Sequence, residues 1–143
     1  METLLETRDL TKCFGSPGGG ELEVLRSVAF SLRAGEHASI RGESGSGKST
    51  LLNVLAGLES ATGGDVRWRG ESLADKPASW LARQRSGFLG FVFQSYYLVP
   101  ELNALENVLL ARRLVGKPTD EHRDRAVDLM TRLGLAGRLR HEP

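Results

Sequence analysis

A single cysteine, Cys13, leaves no partner for an internal disulfide and no cage of thiolates for a metal ion. The three histidines, His37, His122 and His141, are too scattered for metal-ligand spacing and read as surface or turn residues. Charge of one sign is missing too. The 19 Lys and Arg against 18 Asp and Glu leave a net charge of +1, without the basic footprint that binding nucleic acid requires. No apolar run approaches the roughly 20 residues of a membrane span, and the cluster at 108–111 is cut off by Arg112 and Arg113. The first six residues carry acid (Glu2 and Glu6) where a secretion signal needs base. What remains is 143 residues, 40% hydrophobic and 26% charged, in the range of one globular domain of ordinary size. The expectation is a soluble chain in a reducing cytoplasm.

Glycines and periodicity give the organisation. Residues 4–10 and 22–30 read as strands, joined by the turn formers Gly15, Ser16, Pro17, Gly18, Gly19 and Gly20. After a turn at 34–36, residues 37–40 read as a short strand entering a glycine-rich loop. From Lys48 the apolar positions Leu51, Leu52, Leu55 and Leu58 recur at helical spacing, with Gly57 at the end. Residues 63–70 read as a short strand between turns and 88–93 as a buried strand. Trp68 is expected at a sheet edge, Trp80 on a short helix, and the pairs Arg67/Arg69 and Arg83/Arg85 as solvated charge. Asn103 with Glu106 forms a capping box ahead of a helix. A second helix opens at Thr119 with Asp120 and Glu121, lines one face with Ala126, Met130 and Leu133, and stops at Gly134. The order of elements says α/β, with a change of character after Gln94.

The informative stretch is Gly42-Glu43-Ser44-Gly45-Ser46-Gly47-Lys48-Ser49-Thr50, which fits G-x-x-x-x-G-K-[ST] in full. Glycines let successive backbone N–H groups curl around an anion, and the helix that starts near Lys48 aims its positive end at the same point. Lys48 can reach the β- and γ-phosphates, the Ser49 hydroxyl can ligate Mg²⁺, and Thr50 adds a donor beside the α-phosphate. A dinucleotide loop is excluded, because Thr50 stands where a third glycine or alanine is needed. The D-x-x-G and N-K-x-D motifs of a GTPase are missing as well.

Ser44 to Leu52, followed by Leu55-Ala56-Gly57-Leu58, resembles the Walker A region of ABC-type ATPases. Gly90-Phe91-Val92-Phe93-Gln94 resembles their Q-loop, and Leu10-Thr11-Lys12-Cys13-Phe14-Gly15 their N-terminal A-loop. Residues 102–108 are similar to the lipoprotein-release, macrolide-export and cell-division subgroup. The resemblance implies a P-loop NTPase core, a RecA-like parallel sheet with an added antiparallel β subdomain, over residues 1–94, and the start of a helical subdomain over 95–143. It implies ATP and Mg²⁺ as ligands. Gly42, Ser44, Gly45, Ser46, Gly47, Lys48, Ser49 and Thr50 would form the phosphate site. Phe14 would stack on adenine where the family usually has tyrosine, and Gln94 would contact Mg²⁺ or the attacking water. Lys48 and Gln94 are thus the expected catalytic residues, and Ser49 and Gln94 the metal ligands. Tyr96 and Tyr97 read either as an aromatic pair packing on the first helix or as part of the groove for a membrane subunit. The implied partners are integral-membrane permease subunits and a second ATPase subunit, head to tail, with no nucleic acid. The implied location is cytoplasmic, peripheral at the inner face of the plasma membrane.

The family's L-S-G-G-Q signature, its strand ending in Asp-Glu and its switch histidine have no counterpart within these 143 residues. The expectation is therefore that the C-terminal part of the fold is missing, and that this chain alone is inactive in hydrolysis while the complete form is an ATPase.

Overall fold

The computed structural model describes residues 2–143, in two compact units that divide between Gly90 and Phe91. The first unit is built on an antiparallel sheet. Strands β1 (Thr3–Gly15) and β2 (Glu21–Arg33) form a hairpin, closed over the glycine-rich turn by Ser16 N–H donating to the Gly20 carbonyl at 2.7 Å. Strand β3 (Gly63–Trp68) pairs with the other edge of β1 and carries the short β4 (Glu71–Ser72), giving the order β2-β1-β3-β4. Helix α1 (Lys48–Leu55) lies between β2 and β3 in sequence, and helix α2 (Ala78–Phe88) closes the unit.

The β1–β2 ladder shifts register four times, twice by an extra residue on β1 and twice by one on β2. One extra residue on β1, between the pairs Thr7↔Phe30 and Leu10↔Val28, is offset by one on β2 before Lys12↔Leu25. Each of these two bulges puts a non-glycine residue at positive φ, Asp9 at 46° and Ser27 at 47°, and Ser27 Oγ donates to Asp9 Oδ1 at 3.0 Å. The buried Thr7 hydroxyl donates to the Val28 carbonyl and accepts from Phe30 N–H, both at 3.0 Å. Where the bulge pushes the Arg8 and Asp9 carbonyls toward β3, only a residue without Cβ fits, and that residue is Gly64. The exposed Arg8 guanidinium, hydrogen-bonded to Glu6 at 2.8 Å, holds the Glu6 carboxyl below its ordinary range. Because the native value is lowered, the pair's support is present at neutral pH and fades as pH falls through that lowered value.

The core of this unit joins sheet and helix. Leu10 and Leu25 from the hairpin, Val54 and Leu55 from α1 and Val66 from β3 are buried together. Burying side chains of this size contributes about 1.5–3 kcal/mol each. Val54 therefore takes a place in the apolar face of α1, whereas Leu52 and Leu58 are exposed.

Two expected strands are not formed. Residues 37–40 are extended but find no pairing partner among the described residues, and Phe88 ends α2 while 89–94 are irregular. A strand exists only by its ladder, so an apolar alternating sequence without a neighbour stays a loop. All strand pairings among the described residues are antiparallel, so the implied parallel sheet is not formed by them. No helix among the described residues is long and apolar enough to cross a membrane.

The second unit consists of α3 (Ala104–Arg113), α4 (Asp120–Arg132) and a 3-10 turn at Ala136–Arg138. Leu105, Leu109, Ala126 and Met130 form its core, while Leu133, expected on that face, is exposed. The capping box is present as predicted. Asn103 Oδ1 accepts from Glu106 N–H at 3.0 Å and Glu106 Oε2 from Asn103 N–H at 3.1 Å. The next two free N–H groups, Ala104 and Leu105, donate to the carbonyls of His141 and Leu139 at 2.9 and 3.0 Å. His122 caps as well as sitting on the surface: its Nδ1 accepts from Thr119 N–H at 3.2 Å, completing a capping box on α4.

Asn107 is the busiest side chain in this unit. It accepts from Val99 N–H at 2.8 Å and donates to the carbonyls of Val99, Leu102 and Asn103 at 3.1, 2.8 and 3.2 Å, pinning the 99–103 turn onto α3. Asn107→Ala strands that turn's polar groups and is expected to cost about 2 kcal/mol, against about 1 kcal/mol for Asn103→Ala. Urea titrations followed by helical circular dichroism will rank the two.

Candidate functional site

Residues 42–50 form a closed loop that ends in α1. Ser46 N–H donates to the Glu43 carbonyl at 3.2 Å, turning the chain back on itself. Gly47 caps the helix with φ 87° and ψ 7°, a left-handed conformation, and no side-chain cap is present. A Cβ at Gly47 would lie 2.8 Å from Val24 Cγ1 and 3.1 Å from the Val24 carbonyl, so the loop's end is pressed directly onto β2.

Lys48 is the strut of the loop. Its ammonium donates to the carbonyls of Gly42 at 2.9 Å and Glu43 at 2.6 Å. The third donor has only Ser46 Oγ, at 3.5 Å. An ammonium has three donors, so one remains for a ligand without dismantling the loop. The backbone N–H groups of Lys48, Ser49 and Thr50 find no acceptor among the described residues; the first intrahelical bond is Leu51 N–H to the Gly47 carbonyl at 2.8 Å. The first turn of α1 holds no acid. Three free donors, a cation and the positive end of a helix face one exposed concavity, which suits an anion. The Ser49 and Thr50 hydroxyls, hard oxygen donors, likewise have no protein acceptor among the described residues. Glu43 is the loop's one acid, and its side chain is exposed to water.

The far end of α1 is fixed just as firmly. Gly57, at φ 61°, ends the helix with its N–H on the Val54 carbonyl at 3.0 Å and Leu58 N–H on the Asn53 carbonyl at 2.9 Å. The Trp68 indole donates to the Leu55 carbonyl at 2.9 Å, and Arg85 Nη1 to the Gly57 carbonyl at 2.7 Å. Trp68 is thus buried in contact with Phe88, not an edge cover, and Arg85 is a helix cap, not solvated charge. Arg67 likewise pairs with Asp65 at 2.7 Å, and Arg69 lies 4.8 Å over the Phe88 ring. The Arg69 and Arg85 contacts are not visible in the spacing of the sequence, whereas Asp65 and Arg67 stand two apart on one strand.

The other expected site residues are placed unequally. Phe14 stands at the end of β1 opposite Leu22, and is 37% exposed. Leu22 is two residues along β2 from Val24, the seat of Gly47. Phe14 therefore lies about 7 Å along the strand direction from that seat, one strand over. Gln94 belongs to the second unit, on an exposed irregular stretch. Its neighbour Phe91 stacks on Phe93 at 5.5 Å, Tyr97 meets Phe93 edge to face at 5.1 Å, and Tyr96 is 90% exposed.

The ABC transporter family model matches residues 25–143. The chain belongs to the ABC transporter family. Among curated members it is 39% identical to the lipoprotein-releasing system ATP-binding protein LolD of Idiomarina loihiensis, over 99% of this chain and 62% of that protein. It is 44% identical to the ABC transporter ATP-binding protein YbbA of Escherichia coli over the same shares, 99% and 62%. With the pyoverdine export ATP-binding/permease protein PvdT of Pseudomonas fluorescens the identity is 42%, over 100% of this chain and 22% of that protein. The chain thus spans about three-fifths of the length of the first of these ABC relatives. Its fold is that of an ABC cassette: the dimeric, post-hydrolysis cassette MJ0796, bound to ADP and Pi, superposes at a TM-score of 0.88 with 33% identity, over 98% of this chain and 62% of that one.

Two glycine substitutions separate conformation from contact in this loop. Gly45 has φ 81° with open space around it, so Gly45→Ala is expected to cost about 1 kcal/mol. Gly47→Ala adds the collision with Val24 and is expected to cost about 3 kcal/mol, read from thermal unfolding of the two variants.

Proposed function

We propose that the chain is the nucleotide-binding part of an ABC transporter's ATP-binding subunit, holding Mg-ATP on residues 42–50. The observation that carries this is the Lys48 ammonium, fixed by the Gly42 and Glu43 carbonyls with a donor to spare beside three unpaired N–H groups. Gly42, Ser44, Gly45, Ser46 and Gly47 wrap the phosphates, with Lys48 as the cation on the β- and γ-phosphates. Ser49 and Gln94 supply oxygen ligands for Mg²⁺, and Thr50 a donor at the α-phosphate. The bound Mg²⁺ supplies charge neutralisation on the phosphate oxygens. Phe14 offers a ring face to the adenine. Residues 1–94 act as the nucleotide-binding core and 95–143 as the beginning of the helical subdomain.

In its complete form the protein couples ATP hydrolysis to transport or release of a substrate at the membrane. Relatives named for lipoprotein release and pyoverdine export support that class of work. The partners are integral-membrane permease subunits and a second ATPase subunit, supported by the fused permease of one relative and the dimer of the solved cassette. The place of action is the cytoplasmic side, peripheral at the inner face of the plasma membrane. The 143-residue chain alone binds nucleotide without turnover, because no residues in it match the signature, the Asp-Glu strand end or the switch histidine.

Titration calorimetry with Mg·ATP tests the site. Binding in the micromolar range is expected, with Lys48→Ala weakening it tenfold or more, about 1.4 kcal/mol per decade. Equal binding by both proteins would overturn the proposal. Phosphate release by the isolated chain is expected to match buffer, before and after Lys48→Ala.

A further inference from the structure

Lys12 is held in a way that the phosphate site does not require. Its side chain is only 13% exposed, yet it carries a full charge. An ammonium in that position must be satisfied by the protein. Nζ reaches Glu59 Oε1 at 3.2 Å, donates to the Ser60 carbonyl at 2.8 Å, and stands 4.8 Å from the centroid of the Phe14 ring. Both anchors belong to the turn after α1. That turn is itself stapled to β1, with Thr62 N–H on the Thr11 carbonyl at 2.9 Å and Cys13 N–H on Thr62 Oγ1 at 3.0 Å. The cation is therefore fixed relative to the ring, and the ring relative to α1.

The geometry points to Lys12 as the positioning residue of a nucleobase platform: pinned by Glu59 and Ser60, its ammonium covers one face of Phe14 and leaves the opposite face for the base. This rests on the ATP-binding proposal above. A cation over an aromatic face also draws π density toward itself, which lowers the repulsion between the ring's free face and a stacked heterocycle. Phe14 has no hydroxyl, so the base is recognised by its face alone, and the orientation of that ring carries all of the platform's contribution. Lys12 touches no part of the ligand and acts through Phe14.

The test compares ATP with inorganic triphosphate, both as magnesium salts, binding to the full chain in titration calorimetry. Phe14→Ala is expected to weaken ATP by about fivefold or more and leave triphosphate unchanged. Lys12→Met is expected to weaken ATP about twofold to fivefold, also with triphosphate unchanged. In the double variant Lys12→Met, Phe14→Ala, the lysine's effect should vanish, since it has no ring to act on. Lys12→Arg should retain most of the wild-type affinity. Should Lys12→Met fail to fold, Glu59→Gln frees the ammonium with little change of shape and should reproduce a loss confined to ATP. Equal losses for ATP and triphosphate, additivity in the double variant, or no loss at all would each overturn the role of Lys12. If the wild-type chain binds triphosphate as tightly as ATP, the platform fails while the phosphate loop stands. If it binds neither, the ATP-binding proposal itself has failed.

Discussion

The contact on which the rest depends is the seat of Gly47 on Val24. A helix N-terminus presents useful donors only if its position is fixed, and here Gly47 is seated against the side chain and the carbonyl of Val24. The other end of α1 is held by the Trp68 indole and the Arg85 guanidinium, each on a helix-terminal carbonyl. A cation at that end also complements the helix dipole. The helix is thus clamped along its axis between β2 at one end and β3 with α2 at the other. Its apolar face contributes Val54 and Leu55 to a core shared with the sheet. The anion-facing donors owe their place to residues that never approach a ligand.

The antiparallel sheet has a second task, which falls to β1. This strand runs from the core residue Leu10 to Phe14 at the rim, and its bulge at Asp9 is matched by one at Ser27. The extra residue on β1 at the Asp9 bulge turns the side chains after it to the opposite face from those before it. Lys12 and Phe14, two residues apart on one strand, share a face by strand alternation. Gly64 is the other half of the same device, since it admits the carbonyls that the bulge displaces. The strain of Asp9 at positive φ is thus tied to the side of the sheet on which the aromatic emerges.

Much of this was legible in the residues, and the division follows a physical line. The phosphate loop, the Gly57 stop, the hairpin turn and the Asn103–Glu106 box are local: a few neighbouring residues fix the conformation, so their order in the chain is sufficient information. Strands 37–40 and 88–93 were not legible because a strand is defined by a neighbour, and none stands beside them among the described residues. Helix α2 buries no residue fully, so it has no sharp apolar stripe to betray its length. The arginines failed for a related reason. Arg69 and Arg85 look like solvated charge in sequence, and only the fold brings a ring and a carbonyl to them. Lys12 belongs to the same class, since Glu59 and Ser60 lie some fifty positions away along the chain. The resemblance to ABC ATPases reached further than any local rule, because it carries the nonlocal arrangement with it, and the cassette superposition agrees.

In the proposed site, the two lysines of this unit would serve opposite ends of the nucleotide. Lys48 is tied to neutral carbonyls, which are weaker acceptors than an anion, so a phosphate oxygen arriving at its spare donor forms the stronger, charge-assisted bond. Lys12 is tied to a carboxylate and shielded from water, so its charge is already satisfied and has no comparable incentive to engage a phosphate. The difference lies in the partners. Exchanging them, a carboxylate on Lys48 and carbonyls on Lys12, would move the anion affinity from the loop to the end of β1. An arrangement that leaves the loop cation under-neutralised while neutralising the rim cation would, in the proposed site, orient a nucleotide before any contact with its base is made: phosphates to the helix end, ring to the strand end.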